Sequence, residues 1–139
     1  MSLFYRVSGL LLCSNSPIQG LVALPATGAV DVQVWLGVLP RWWDDTVASS
    51  PQPWYVSTSQ DQYGKPALTV WQSSGGAYFR HKYSDGTEFV VDRAGTQIWA
   101  VWPEALTLED TAIYLLGPVL SFVLRVRGVS CLHASAIAT

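Results

Sequence analysis

Few side chains in this 139-residue sequence have the types and spacing to do chemistry. The two histidines, His81 and His133, are its only imidazoles, the side chain whose ordinary titration falls between pH 5 and 8. His81 stands between Arg80 and Lys82, and period-two alternation puts those two cations on one strand face and His81 on the other, with Phe79 and Tyr83. No serine, cysteine or carboxylate is placed by motif to work with it, so it reads as a core-edge or surface histidine rather than a general base. Asp85, Glu88 and Asp92 could gather around a cation. However, Asp85 suits a turn, and Glu88 and Asp92 share a strand face too far apart to chelate one ion alone, so a solvated face is expected. His133, in Cys131-Leu-His-Ala-Ser135, reads on its residues alone as a buried, hydrogen-bonded histidine. The pair Trp42 and Trp43 beside Asp44 and Asp45 is more unusual, because adjacent exposed tryptophans are costly without a partner. That segment is either a ligand or interface patch or a loop that folds its rings back over a sheet.

Composition narrows the classes. Eight basic and ten acidic side chains give a net charge of -2, with half the residues hydrophobic and seven tryptophans. The chain has ample apolar material to fold, and no general attraction for nucleic acid or an anionic membrane surface. Its two lysines, Lys65 and Lys82, lie in no phosphate-loop context, which excludes a self-sufficient P-loop nucleotidase. No metal and no cofactor is expected in this chain. Cys13 and Cys131 lie far apart in sequence and are expected to be free buried thiols. The apolar run at 10–13 is too short for a signal sequence. Residues 111–124 carry no charge but fall short of the roughly 20 needed to span a bilayer, so a cytoplasmic protein is expected.

The elements that must position these groups follow from periodicity. Residues 3–13 read as a strand interrupted at Ser8-Gly9, and 30–36 alternate cleanly, with Val30, Val32, Val34 and Leu36 on one face. Residues 40–53 form a loop. Short strands are expected at 54–57, 68–72, 77–83, 87–92 and 96–102, separated by Gly-, Pro- and Asp-containing turns. Up to Pro103 this predicts a meander of antiparallel strands. Thr107 then opens a helix, with Asp110 completing a variant capping box and Gly128 as its stop. Pro118 inside it predicts a kink near 114–118, or two helical segments. Residues 129–138 alternate loosely as a final strand. The fold class is α+β, with a mainly antiparallel amino-terminal β domain at 1–103 and a kinked helix plus strand at 104–139.

The segment running from Tyr114-Leu-Leu-Gly-Pro118 through Arg125-Val-Arg-Gly128 to Leu132-His-Ala-Ser-Ala-Ile-Ala138 resembles the lead-in to the catalytic domain of HPr kinase/phosphorylase-like serine kinases. The bacterial branch associated with peptide-modification genes is the nearest in kind. The opening Phe4-Tyr-Arg-Val-Ser-Gly-Leu10 and the pattern ending in Val90-Val-Asp92 are similar to that branch too. The resemblance implies that residues 104–139 begin a P-loop kinase core, truncated here before its Gly-rich loop. A complete parent would use ATP and magnesium to phosphorylate a serine hydroxyl of a protein or peptide. This chain is then expected to be a non-catalytic scaffold or substrate-docking portion, inactive alone, with His133 near the nucleotide site of the parent. The alternative is a standalone peptide- or small-ligand-binding β module using Trp42, Trp43, Asp44 and Asp45. Low charge and high aromatic content also favour a homo-oligomer.

Overall fold

A computed structural model describes residues 2–25, 28–41 and 52–128. Its strands are β1 (Leu3–Val7), β2 (Leu10–Ser14), β3 (Val32–Leu36), β4 (Tyr55–Val56), β5 (Leu68–Ser73), β6 (Tyr78–Tyr83), β7 (Glu88–Asp92) and β8 (Gln97–Val101). They form one eight-stranded sheet in the order β1-β2-β3-β8-β7-β6-β5-β4. The Ser8-Gly9 interruption is a two-residue hairpin turn: both residues take positive φ, 51° and 83°, which matches the twist of the flanking strands.

The expected antiparallel meander holds from β4 to β8 and fails for β3. That strand is inserted between β2 and β8 and runs parallel to both. Alternation of side chains specifies a strand but not its partner. The connection over residues 15–31 is long enough for the crossover that parallel neighbours require. Asp31 secures the entry to β3, its Oδ2 accepting the Leu11 N–H at 2.8 Å.

One face of the sheet is apolar, carrying Leu10 and Leu12, Val32, Val34 and Leu36, Ile98 and Ala100, Phe89 and Val91, and Val70. It is covered by α1 (Leu108–Tyr114), a π-helical turn (Leu115–Val119) and α2 (Leu120–Val126). Thr107 caps α1 as expected: its side chain accepts the Asp110 N–H, and the Asp110 carboxylate accepts the Thr107 N–H. The expected kink takes the form of the π turn. Pro118 has no N–H to give to the carbonyl one turn back, and the wider turn absorbs both that missing bond and the ring. Gly117 before it has no Cβ to clash with the proline ring. Leu115, Val119, Leu120, Phe122 and Val123 are buried against the strands in a single core, at about 1.5–3 kcal/mol for each large side chain.

Polar ties hold the helix at two points. At the end of α1, just before the π turn, Tyr114 donates its hydroxyl to Asp85 Oδ2 at 2.6 Å and stacks on Tyr83, ring centroids 3.8 Å apart. At the end of α2, Arg127 Nη1 donates to the Gly95 carbonyl at 3.0 Å, and Nη2 lies 3.6 Å from Asp31 Oδ1. Cys13 is buried with a free thiol, as expected. The final strand expected at 129–138, and Cys131 with it, lie outside the described residues. Among the described residues, no helix is long and apolar enough to cross a membrane.

Gly95 is the tightest point of this docking. At φ 70° a Cβ there would lie 2.9 Å from Arg127 Cγ and 3.3 Å from the Val123 carbonyl oxygen. Gly95→Ala is expected to lower stability by more than about 1 kcal/mol, from the combined strain and crowding, as measured by urea unfolding.

Candidate functional site: two clefts on opposite faces of the sheet

The sheet's second face is built from the alternate residues of the same strands, and its chemistry is mixed. Trp71 on β5 lies opposite Arg80 on β6, whose guanidinium sits 5.8 Å from the indole centroid and pairs with Glu88 on β7. Val90 is fully buried between Arg80 and Trp99, its neighbours across β6 and β8. Tyr78 meets Trp99 edge to face at 6.2 Å. Beyond Trp99, an open cleft of about 560 Å³ is lined by Trp35, Trp99, Gln97, Leu39, Pro40 and Arg41, with Asn15 and Val38 at its margin. Parallel pairing brings Trp35 and Trp99 side by side, and Trp35 Nε1 donates to Gln97 Oε1 at 3.3 Å. Asn15 clamps the end of β3: its Oδ1 accepts the Leu36 N–H at 2.7 Å and its Nδ2 donates to the Leu36 carbonyl at 3.1 Å. Among the described residues, the cleft therefore has an aromatic floor and one cation, Arg41.

On the helix-covered face a smaller cleft, about 270 Å³, opens between the helix and the β4–β5 edge. Trp54, Tyr55, Leu68 and Val70 line one side, Pro118, Ser121, Phe122 and Arg125 the other, and His81 is part of its lining. The sequence placed His81 on the face of Phe79 and Tyr83, and that is where it lies, only 2% exposed. Its ring meets Phe122 edge-on at 4.5 Å. Its Nε2 is buried without a hydrogen-bond partner, a condition that ordinarily costs about 1–3 kcal/mol. Burial drives its pKa down to about 4, so the imidazole is neutral at physiological pH.

Asp85, Glu88 and Asp92 are each occupied structurally. Asp85 accepts the Thr87 N–H in its turn. Burial raises its pKa, but the hydrogen bonds from Tyr114 and Thr87 outweigh that and leave it lowered. Burial, reinforced by the Asp85 hydrogen bond and charge, pushes the Tyr114 hydroxyl up to about 12. Glu88 faces Arg80, and Asp92 accepts the backbone N–H groups of Thr96 and Gln97 across the next turn. Among the described residues, no three His, Cys, Asp or Glu side chains gather to hold a metal ion.

Of the residues singled out by sequence, Trp42, Trp43, Asp44, Asp45 and His133 lie outside the described residues. Arg41, which lines the outer cleft, immediately precedes Trp42 in the sequence. Trp35, Gln97 and Trp99 were not marked as a site by sequence, because alternation predicts their shared face but not that β3 and β8 are neighbours. Comparison with protein-family models, with curated proteins and with solved structures returns no significant match.

The buried neutral histidine makes stability depend on pH. Its folded pKa lies below the unfolded value of 6.5, so its stabilising contribution is complete above that value. It is lost as pH falls from 6.5 towards about 4, by up to roughly 3 kcal/mol. His81→Leu is expected to flatten this slope in urea unfolding between pH 4 and 6.5 and not to lower stability at pH 7, since it removes an unpartnered polar group.

Proposed function

We propose that this chain is a docking module: the non-catalytic, substrate-holding portion of a serine-kinase-like protein of the HPr kinase/phosphorylase kind. It would present a protein or peptide to catalytic machinery supplied by a more distal segment. The observation that carries the docking half is the Trp35–Trp99 cleft, an aromatic floor with Arg41 at its edge, on the sheet face opposite the helix. Flat, rigid rings beside a single cation suit an apolar side chain flanked by an acidic one. The kinase half rests on the resemblance of residues 114–138 and on the short run Leu132-His-Ala-Ser135. In a complete protein, ATP and magnesium would supply the phosphoryl chemistry, and this portion would supply orientation and proximity. The same cleft favours a second reading, a standalone peptide-binding β module.

Two measurements test these readings. Titration with a short peptide carrying leucine and aspartate should shift the tryptophan fluorescence saturably, and a lysine-for-aspartate version should bind weakly. Arg41→Glu should weaken binding roughly tenfold, about 1.4 kcal/mol, and Trp35→Ala should abolish it without loss of the cooperative thermal transition. Equal binding by both variants overturns the docking site. Reading the coding DNA past the Thr139 codon separates the two contexts: a Gly-rich loop ending in Gly-Lys-Ser or Gly-Lys-Thr supports the kinase parent. An immediate stop codon overturns it and leaves the standalone module.

A further inference from the structure

The geometry points to a second, separate binding site: the cleft between α2 and the β4–β5 edge takes a small aromatic carboxylate. Three features of one cavity converge on that class. Its lining is largely aromatic and apolar, with Trp54, Tyr55, Pro118 and Phe122, of which Trp54 and Phe122 already touch each other edge to face at 6.0 Å. A ring lying against such a lining gains apolar and edge-to-face contact. His81, buried in the lining, carries an Nε2 with no partner. A ligand that satisfies it removes the penalty of an unpaired buried polar atom, either by accepting from it as an N–H or by donating a ring N–H to its lone pair.

The third feature is charge. Among the described residues, Arg125 is the only formally charged side chain lining the cleft, is exposed, and has no carboxylate partner. A guanidinium matches a carboxylate in a paired, planar geometry, whereas an amine ligand would meet like charge. A phosphate would bring two charges to a single cation. The volume of about 270 Å³ suits one ring system and its acid, not an extended chain. Both a free aromatic acid and the carboxyl-terminal aromatic residue of a peptide have this chemistry.

The test uses the whole chain, isotopically labelled for histidine nitrogen NMR and titrated calorimetrically with four probes. These are indole-3-acetate, indole, tryptamine and a tripeptide ending in tryptophan with a free carboxylate. Indole-3-acetate is expected to bind at least tenfold more tightly than tryptamine and to shift the His81 ring nitrogens. Arg125→Gln, an exposed position that leaves the core intact, is expected to reduce its affinity to that of indole. His81→Phe should weaken all the probes that bind, while Trp35→Ala on the other face should leave them unchanged. Tighter binding of the tripeptide supports the site and identifies a peptide terminus as the source; tighter binding of the free acid supports it and identifies a small molecule. Equal affinity for acid and amine, unmoved His81 nitrogens, or binding indifferent to Arg125→Gln each overturns the assignment, whatever the outer cleft is found to do.

Discussion

The structure depends on one constraint: a single interrupted helix must cover the apolar face of a wide sheet. Leu115, Val119, Leu120, Phe122 and Val123 provide the opposing layer of the core, and they come from about two and a half turns of chain. A straight helix presents one stripe along one line. The buried positions Leu115, Val119, Phe122 and Val123 keep that stripe facing the strands through the π turn that contains Pro118. The polar ties act on this same element. Tyr114 with Asp85, beside the π turn, and Arg127 with Gly95 and Asp31, at the end of α2, tie it to loops between strands, so the helix is registered on the sheet rather than merely adhering to it.

The two clefts are consequences of that arrangement. Because the helix passes over the middle of the sheet, the β4–β5 edge projects beyond it and leaves a gap beside Phe122, with His81 in its lining. A histidine there is an expensive choice for a core position. It is desolvated, neutral and lacks a partner at Nε2, where an aliphatic residue would fill the same space with no polar atom to satisfy. On the opposite face no such covering element is described, and the long side chains shield one another instead. Arg80 lies between Trp71 and Glu88, Val90 lies under its neighbours, and the tryptophans at positions 35 and 99 adjoin where β3 meets β8. The parallel insertion of β3 is thus what turns two separate aromatic residues into one surface.

Much of the architecture was legible in local sequence. The hairpin at Ser8-Gly9, the strands of the β5–β8 meander, the Thr107–Asp110 cap and the irregularity at Pro118 each follow from a few adjacent residues and are found where those residues place them. The face on which His81 lies was legible for the same reason, since alternation is a property of the strand itself. Its depth was not, because burial depends on the Phe122 ring supplied by a helix some forty positions later. Arg127 shows the same limit. Its guanidinium is engaged by Asp31 and the Gly95 carbonyl, partners distant in sequence.

What the sequence determined by itself was everything set by neighbours along the chain: element type, turn chemistry, helix start, helix break and the inward or outward sense of each strand residue. These depend on backbone sterics and on hydrogen bonds spanning a few positions, which local residue types specify directly. Only the tertiary structure decided which strands adjoin, that β3 runs parallel between β2 and β8, that Trp35 and Trp99 share a cleft, and that Arg125 and His81 line another. Those outcomes come from the requirement that all apolar faces be buried at once. Many strand orders satisfy the local pattern, and only the summed packing of sheet and helix selects one of them.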